Sequence, residues 1–266
     1  MKIASKHLKS CFPELKIGGP AVASNMNWAN DFLAEMKKRG APLDFFSWHI
    51  YSCTVEKVRA RIEKARELLD KHGFTETESI LNEWNYVKGW EGDNWTYSLD
   101  MMKDLKSASF IGAVMLMSQS SALDNLMYYD ARPGGMNCLF DTSVVSRTLK
   151  GYHTFYMFNQ LYKLGTQVEA ASDIKEDLWF AAADGNSGER CFMLTHYNDD
   201  DNTPPKDVKL TFKNVSGAEK VRLEYYLLDR ECDAKLVREE IFTASEFSSY
   251  INIPVYSTYL LKIVNI

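Results

Sequence analysis

The sequence has few cysteines, and no spacing among them indicates a metal site or a disulfide framework. The five cysteines are odd in number, lie far apart and form no Cys-x-x-Cys pair. Structural zinc sites and small disulfide-rich domains need closely spaced sets of cysteines. We therefore expect reduced cysteines and a protein that needs no metal or other cofactor.

Long apolar runs and clusters of positive charge are also missing. The most apolar stretch, Phe110–Met117, is far shorter than the roughly 20 residues that a membrane-spanning helix needs. The formal net charge is −5, with lysine and arginine spread along the chain. Nucleic acid and anionic membranes bind clustered basic residues, so neither is an expected partner.

The first residues, Met1–Lys9, lack the apolar core and the small-residue cleavage site of a secretory signal. As written, the chain is therefore expected in the cytoplasm. A secreted or periplasmic location stays open if an N-terminal half that carries a signal has been lost.

The chain up to residue 165 alternates short apolar strands with amphipathic helices, which is the pattern of βα units around a parallel sheet. Apolar residues recur at helical spacing from Val55 to Leu69, and Gly73 follows where a left-handed cap is favoured. Four strands are predicted over Lys16–Ala21, Asp44–Tyr51, Ser79–Asn85 and Ala113–Gln119, and further helices over Asn27–Arg39, Tyr97–Ala108 and Gly151–Leu164.

From Thr166 onward the apolar period changes to two, which is typical of antiparallel strands. The fold class is therefore α/β followed by all-β, with a βα domain over residues 1–165 and a β-sandwich over residues 166–266. The segments that alternate are Cys191–Tyr197, Val208–Phe212, Val221–Leu228 and Thr258–Val264.

A carboxylate lies at the carboxyl end of the third predicted strand. Functional side chains of parallel barrels sit at these strand ends, where loops surround a substrate. Glu83 follows the apolar Ile80 and Leu81 closely, so partial burial and hydrogen bonds could set its reactivity. A structural carboxylate in an internal ion pair explains the same position equally well.

His49 and Tyr51 end the preceding predicted strand. Their i, i+2 spacing points both side chains to one face, so we expect them beside Glu83. There they could bind a sugar hydroxyl or the carboxylate. A pair of aromatic rings that only fills the barrel is the alternative.

Several segments, taken in order, resemble the second half of the catalytic domain of family 39 glycoside hydrolases, which include β-xylosidases. The resemblance implies the last four βα units of a (β/α)8 barrel, followed by a β-sandwich. It places the family's nucleophile at Glu83, with Trp84 and Asn85 joining His49 and Tyr51 as expected substrate contacts. The segments are Lys16–Ala21, Leu43–Tyr51, Ile80–Asn85, Tyr128–Asp141 and Lys150–Gly165.

The sequence departs from that family at the other half of the active site. The family's acid/base is the glutamate of an Asn-Glu-Pro motif, which occurs nowhere here. Its eighth strand commonly carries a tryptophan beneath the sugar, and the matching place here has Ser118 and Gln119. Asp124 and Asp130 are the candidate substitute acids. We therefore expect a retaining enzyme for O-glycosyl bonds that is weak or inactive alone, because such enzymes need two carboxyl groups.

Two further expectations follow from the same features. A non-catalytic carbohydrate-binding or pseudoenzyme fragment is the alternative function, in which Trp48, Trp84, Trp90 and Trp95 stack on sugar rings; packed cores hold tryptophan more often.

An open half barrel would also expose two sheet edges. We expect a homodimer in which each copy's first strand pairs with the other copy's fourth.

Overall fold

The structure, a computed structural model, describes residues 2–144, 146–174, 176–185 and 188–266. Packing divides the chain into two compact units. The first comprises residues 1–87 and 120–130, and the second comprises residues 88–119 and 131–266. The two units therefore do not divide at the predicted boundary after residue 165, because the helices over residues 105–118 and 150–164 contact strands of the antiparallel sheet.

The first unit contains a parallel sheet of four strands in the order β1-β2-β3-β4. Strands β1 to β3 and the helices that follow β1 and β2 lie where the sequence predicted them. The helix α3 buries the apolar stripe that the sequence predicted, including Val58, Ile62 and Leu69. The elements are α1 (Lys2–Cys11), β1 (Gly18–Val22), α2 (Met26–Lys38), β2 (Phe45–Ser52), α3 (Val55–Lys71), β3 (Glu78–Tyr86) and β4 (Asn125–Leu126).

The prediction of a strand over Ala113–Gln119 was wrong. This segment belongs to a helix, α5 (Leu105–Ser118), all of whose residues are buried. A helix that is apolar on every side shows no period that separates it from a buried strand. The fourth strand is instead the two-residue β4, so the residues that follow it are Met127, Tyr128 and Tyr129, not Ser118 and Gln119.

The described residues of the second unit form three helices and six strands. The predicted helix over Gly151–Leu164 is confirmed, and Gly165 ends it in the left-handed conformation with φ 83°. The predicted helix over Tyr97–Ala108 is two helices, separated before the N-cap Asp104. The elements are α4 (Gly92–Met101), α5, α6 (Lys150–Leu164), β5 (Thr166–Val168), β6 (Leu178–Asp184), β7 (Arg190–His196), β8 (Lys206–Leu228), β9 (Asp233–Ile253) and β10 (Thr258–Asn265).

The six strands form one antiparallel sheet in the order β5-β6-β7-β10-β8-β9. Two predicted strands are the two halves of β8, and register shifts interrupt its pairing with β9 between those halves. Val208 and Leu210 from the first half and Val221 and Leu223 from the second share one apolar cluster. The sheet therefore curls over its own core, where the sequence predicted a sandwich.

Among the described residues, no helix is both long enough and apolar enough to cross a membrane.

Candidate active site

The site forms in the first unit, at the carboxyl ends of β2 and β3. The two strands pair in parallel, Trp48 with Leu81 and then His49 with Glu83, so Asn82 is an extra residue on β3. A shift of one residue turns every later side chain to the other face of the sheet. This bulge therefore brings Glu83 level with His49.

Glu83 is held between two side chains of β2. The hydroxyl of Tyr51 donates a hydrogen bond to Oε1 of Glu83. The imidazole Nδ1 of His49 lies 3.5 Å from the other carboxylate oxygen, Oε2. The side chains of His49 and Glu83 are 18% and 28% exposed, so a ligand can reach the carboxylate while protein groups fix its orientation. The predicted meeting of these three residues is what the structure shows.

Tyr51 is a hydrogen-bond donor at neutral pH. Burial raises its pKa above the ordinary value, and the hydrogen bond and charge of Glu83 raise it further. The same pKa is raised by the nearby Tyr129 and Asp130. The phenol therefore keeps its proton, which it shares with the Glu83 carboxylate.

The chain after β4 forms a third side of the site. The ring of Tyr129 meets Tyr51 edge to face, with 6.5 Å between centroids, and Tyr128 meets Trp84 in the same way at 5.4 Å. The Asn85 amide donates to the backbone oxygen of Tyr129 at 2.7 Å. Sequence reasoning gave Tyr129 no role, because the misplaced fourth strand removed the signal that this tyrosine follows a strand end.

Trp84 and Asn85 are the other two residues that were expected to contact a substrate. Both side chains are buried, and they support the segment that carries Tyr128 and Tyr129. Trp48 is also fully buried, and its indole donates to the Ser79 hydroxyl at 3.0 Å. These positions fit packing of the strand ends rather than stacking on a sugar.

The two candidate acids lie at different places. Asp124 accepts a hydrogen bond from the backbone nitrogen of Ser79 at 2.7 Å, near the beginning of β3. Ser79 lies four positions before Glu83, which is roughly 13 Å along a strand, so the structure does not bring Asp124 to Glu83 of its own chain. Asp130 directly follows Tyr129, and its charge raises the pKa of Tyr51.

The described residues contain no group of three or more histidine, cysteine, aspartate or glutamate side chains placed to hold a metal ion.

Comparison with known proteins agrees with this geometry. The family model described as "glycosyl hydrolase catalytic core" matches residues 4–131. The first half of the chain resembles a glycosyl hydrolase catalytic core. No curated protein matches the sequence. The resemblance to glycoside hydrolases that the sequence segments predicted is confirmed, and the matched region contains Glu83, His49, Tyr51 and Asp130.

Solved structures show the same fold. A glucosidase from Croceicoccus marinus matches with a TM-score of 0.79 at 19% identity, covering 100% of this chain and 63% of that one. The GH39 enzyme from Xanthomonas axonopodis pv. citri matches with a TM-score of 0.75 at 12% identity, covering 100% and 63%. N2152 from Neocallimastix frontalis matches with a TM-score of 0.71 at 18% identity, covering 100% and 64%. This chain thus spans less than two thirds of the length of each of these three proteins.

Proposed function

We propose that the chain is part of a retaining glycoside hydrolase of the family 39 type, in which Glu83 is the nucleophile. One observation carries this proposal: the Glu83 carboxylate is partly exposed at the carboxyl end of β3, between the Tyr51 hydroxyl and the His49 imidazole. Strand ends of this kind hold the reacting groups of barrel enzymes. The family resemblance of residues 4–131 supports the assignment.

The reaction needs the carboxylate as an attacking group. Glu83 attacks the anomeric carbon as the bond to the leaving oxygen breaks, and an acid gives that oxygen a proton. Water then attacks the glycosyl ester and releases Glu83, while the same acid, now a base, takes the water's proton. The Tyr51 hydrogen bond occupies Oε1, which orients the carboxylate and leaves lone pairs on Oε2 for the sugar.

The acid/base is the part of the site that these contacts do not supply. A retaining enzyme needs its second carboxyl group about 5–5.5 Å from the nucleophile, and the two groups that hold Glu83 are a phenol and an imidazole. Asp130 is the candidate within this chain because of its proximity to Tyr51. Without an efficient acid, we expect turnover to fall by on the order of 10² to 10⁴.

The second source of an acid is another copy of the chain. We propose that the four parallel strands form half of an eight-stranded barrel, and that two copies close it by pairing β1 of each with β4 of the other. This arrangement would bury four otherwise open sheet edges. Sedimentation in dilute solution tests it, since a monodisperse monomer would contradict the dimer.

Covalent labelling tests the role of Glu83. We expect a 2-deoxy-2-fluoro-β-xyloside with a dinitrophenolate leaving group to label the chain, because this leaving group needs little protonation. Mass spectrometry of the digest should find the added sugar on the peptide that contains Glu83. Glu83→Gln should prevent labelling, and Glu78→Gln, at the opposite end of β3, should not.

The same experiment separates the enzyme from the alternative, a non-catalytic carbohydrate-binding fragment. One observation favours that alternative. The two described groups that contact Glu83 are a phenol and an imidazole, and neither is the second carboxyl group that a retaining enzyme needs. Saturable binding of xylosides without any covalent product would support the binding fragment. Labelling at a different carboxylate would move the nucleophile away from Glu83.

A further inference from the structure

A second concave surface lies in the first unit, beside the carboxyl end of β2. It is a cleft of about 350 Å³, and residues of two elements form its walls. Ligand sites in proteins generally have volumes of roughly 300–1,000 Å³. Two of the lining residues are cations and none is a carboxylate. The walls are Ile50, Tyr51 and Ser52 from β2 and Lys57, Ala60 and Arg61 from α3.

Arg61 is a half-buried cation that lacks an anionic partner within the described part of the chain. Its Nη1 donates to the backbone oxygen of Ala23 at 3.3 Å, which uses one of five donor hydrogens. Burial lowers the pKa of Arg61 below its ordinary value, and no neighbouring carboxylate opposes that effect. A guanidinium in this situation retains most of its capacity to bind an oxyanion.

Lys57 adds a second cation at the same place. It is exposed and lies four residues before Arg61 on α3, and like charges at i, i+4 destabilise a helix by about 0.2–0.5 kcal/mol. Lys57 lies in the first turn, where the helix dipole disfavours positive charge. An anion bound between Lys57 and Arg61 would offset both unfavourable effects.

We infer that this cleft binds a small oxyanion, either the carboxylate of a sugar acid or a phosphate group. The planar guanidinium of Arg61 suits two parallel hydrogen bonds to such a group, and Lys57 supplies a second charge at the rim. The inference rests on the cleft and its cations, and it does not depend on the nucleophilic role of Glu83.

Titration calorimetry on the intact chain tests the inference. The probes are glucuronate, inorganic phosphate, and glucose as the neutral match to glucuronate. We expect saturable binding of at least one anion and none of glucose. Tighter binding of glucuronate identifies a sugar carboxylate as the ligand chemistry, and tighter binding of phosphate identifies a phosphate group. The inference would be overturned if neither anion saturates the protein below about 10 mM, which corresponds to a binding free energy of about −2.7 kcal/mol.

Charge variants on α3 locate the binding. Arg61→Gln should weaken anion binding at least tenfold, and Lys57→Gln should weaken it by less. Lys64→Gln is the matched control, since Lys64 lies on the same helix and pairs with Glu67 at 2.9 Å. Equal losses in Arg61→Gln and Lys64→Gln would show diffuse attraction to a basic helix instead of a site. Unchanged binding in Arg61→Gln would also contradict the inference.

A third variant keeps the test decisive if Arg61→Gln does not fold. Ala60 is an exposed wall residue between the two cations, so Ala60→Glu places a tethered carboxylate in the cleft without removing a native charge. We expect this variant to lose anion binding at least tenfold and to unfold at a higher temperature than the unliganded native chain. Native binding by Ala60→Glu would show that the anion binds elsewhere.

Discussion

The hydrogen bond from Tyr51 to Glu83 should be measurable as a coupling energy between the two side chains. Tyr51→Phe removes the hydroxyl and keeps the ring, and Glu83→Met removes the charge and both acceptor oxygens while keeping a side chain of similar length. A hydrogen bond to a charged group contributes about 1.5–3 kcal/mol. Because 28% of the Glu83 side chain is exposed, water can replace part of the lost interaction. We therefore expect a coupling energy near the low end, about 1.5 kcal/mol.

The assay is a double-mutant cycle. Urea unfolding at pH 7 of the native chain, the two single variants and the double variant gives four free energies of unfolding, and their difference isolates the pair. The control cycle pairs Tyr51→Phe with Glu78→Gln. Glu78 begins β3 and forms an ion pair with Lys16, roughly 16 Å along the strand from Glu83. At such a separation the two changes should add within about 0.3–0.5 kcal/mol.

A coupling energy no larger than that of the control cycle would refute the reasoning. It would mean that Tyr51 does not donate to Glu83 in solution. The orientation of the carboxylate, on which its proposed role as nucleophile depends, would then lack its main support.

Three other properties can be tested by unfolding experiments. Stability should fall as pH rises above about 10, the ordinary tyrosine pKa. The raised pKa of Tyr51 keeps the proton on the folded chain at a pH where the unfolded chain has already lost it. Urea midpoints measured from pH 8 to 11 should therefore decline less steeply in Tyr51→Phe than in the native chain. Gly151→Ala should lower the free energy of unfolding by about 1–3 kcal/mol, because the added Cβ would lie 2.6 Å from the Cys138 carbonyl oxygen. This loss should outweigh the preference of alanine for a helix, about 1 kcal/mol. A higher melting temperature would contradict the prediction. Lys106→Met should lower the free energy of unfolding by about 1–3 kcal/mol, because the Lys106 ammonium is buried and pairs with Asp199 and Asp201. Lys88→Met changes a more exposed cation and should lower it by less than about 1 kcal/mol.

The sequence predicted the first three strands and the helix α3 because each has a clear period. It also predicted that His49, Tyr51 and Glu83 would meet, since two of them share a strand face and the third ends the neighbouring strand. The extra residue Asn82 was not predictable from that pattern. Without this bulge Glu83 would be out of register with His49, so the observed meeting of these three side chains depends on a detail that the alternation of apolar residues does not show.

The fourth strand was missed because neither the segment predicted as a strand nor the true strand shows a clear apolar period. The buried helix α5 is apolar on every side, so its sequence fits a strand as well as a helix, whereas β4 has only two residues and shows no period at all. The same mistake hid Tyr129 and placed Asp124 beside Glu83. In the second unit, β9 alternates between exposed and half-buried residues over much of its length, which weakens the signal that marks a strand.

The first unit is built from two stretches of chain, and residues 88–119 of the second unit lie between them. No single cut of the backbone can therefore yield both units as continuous polypeptides. Residues 87–124 separate β3 from β4, and a ribosome adds roughly 5–20 residues per second. During synthesis, the edge of β3 that pairs with β4 therefore stays unpaired for several seconds, until β4 has been synthesised. A chain that stops after residue 87 would keep that edge permanently, and we expect such a fragment to aggregate.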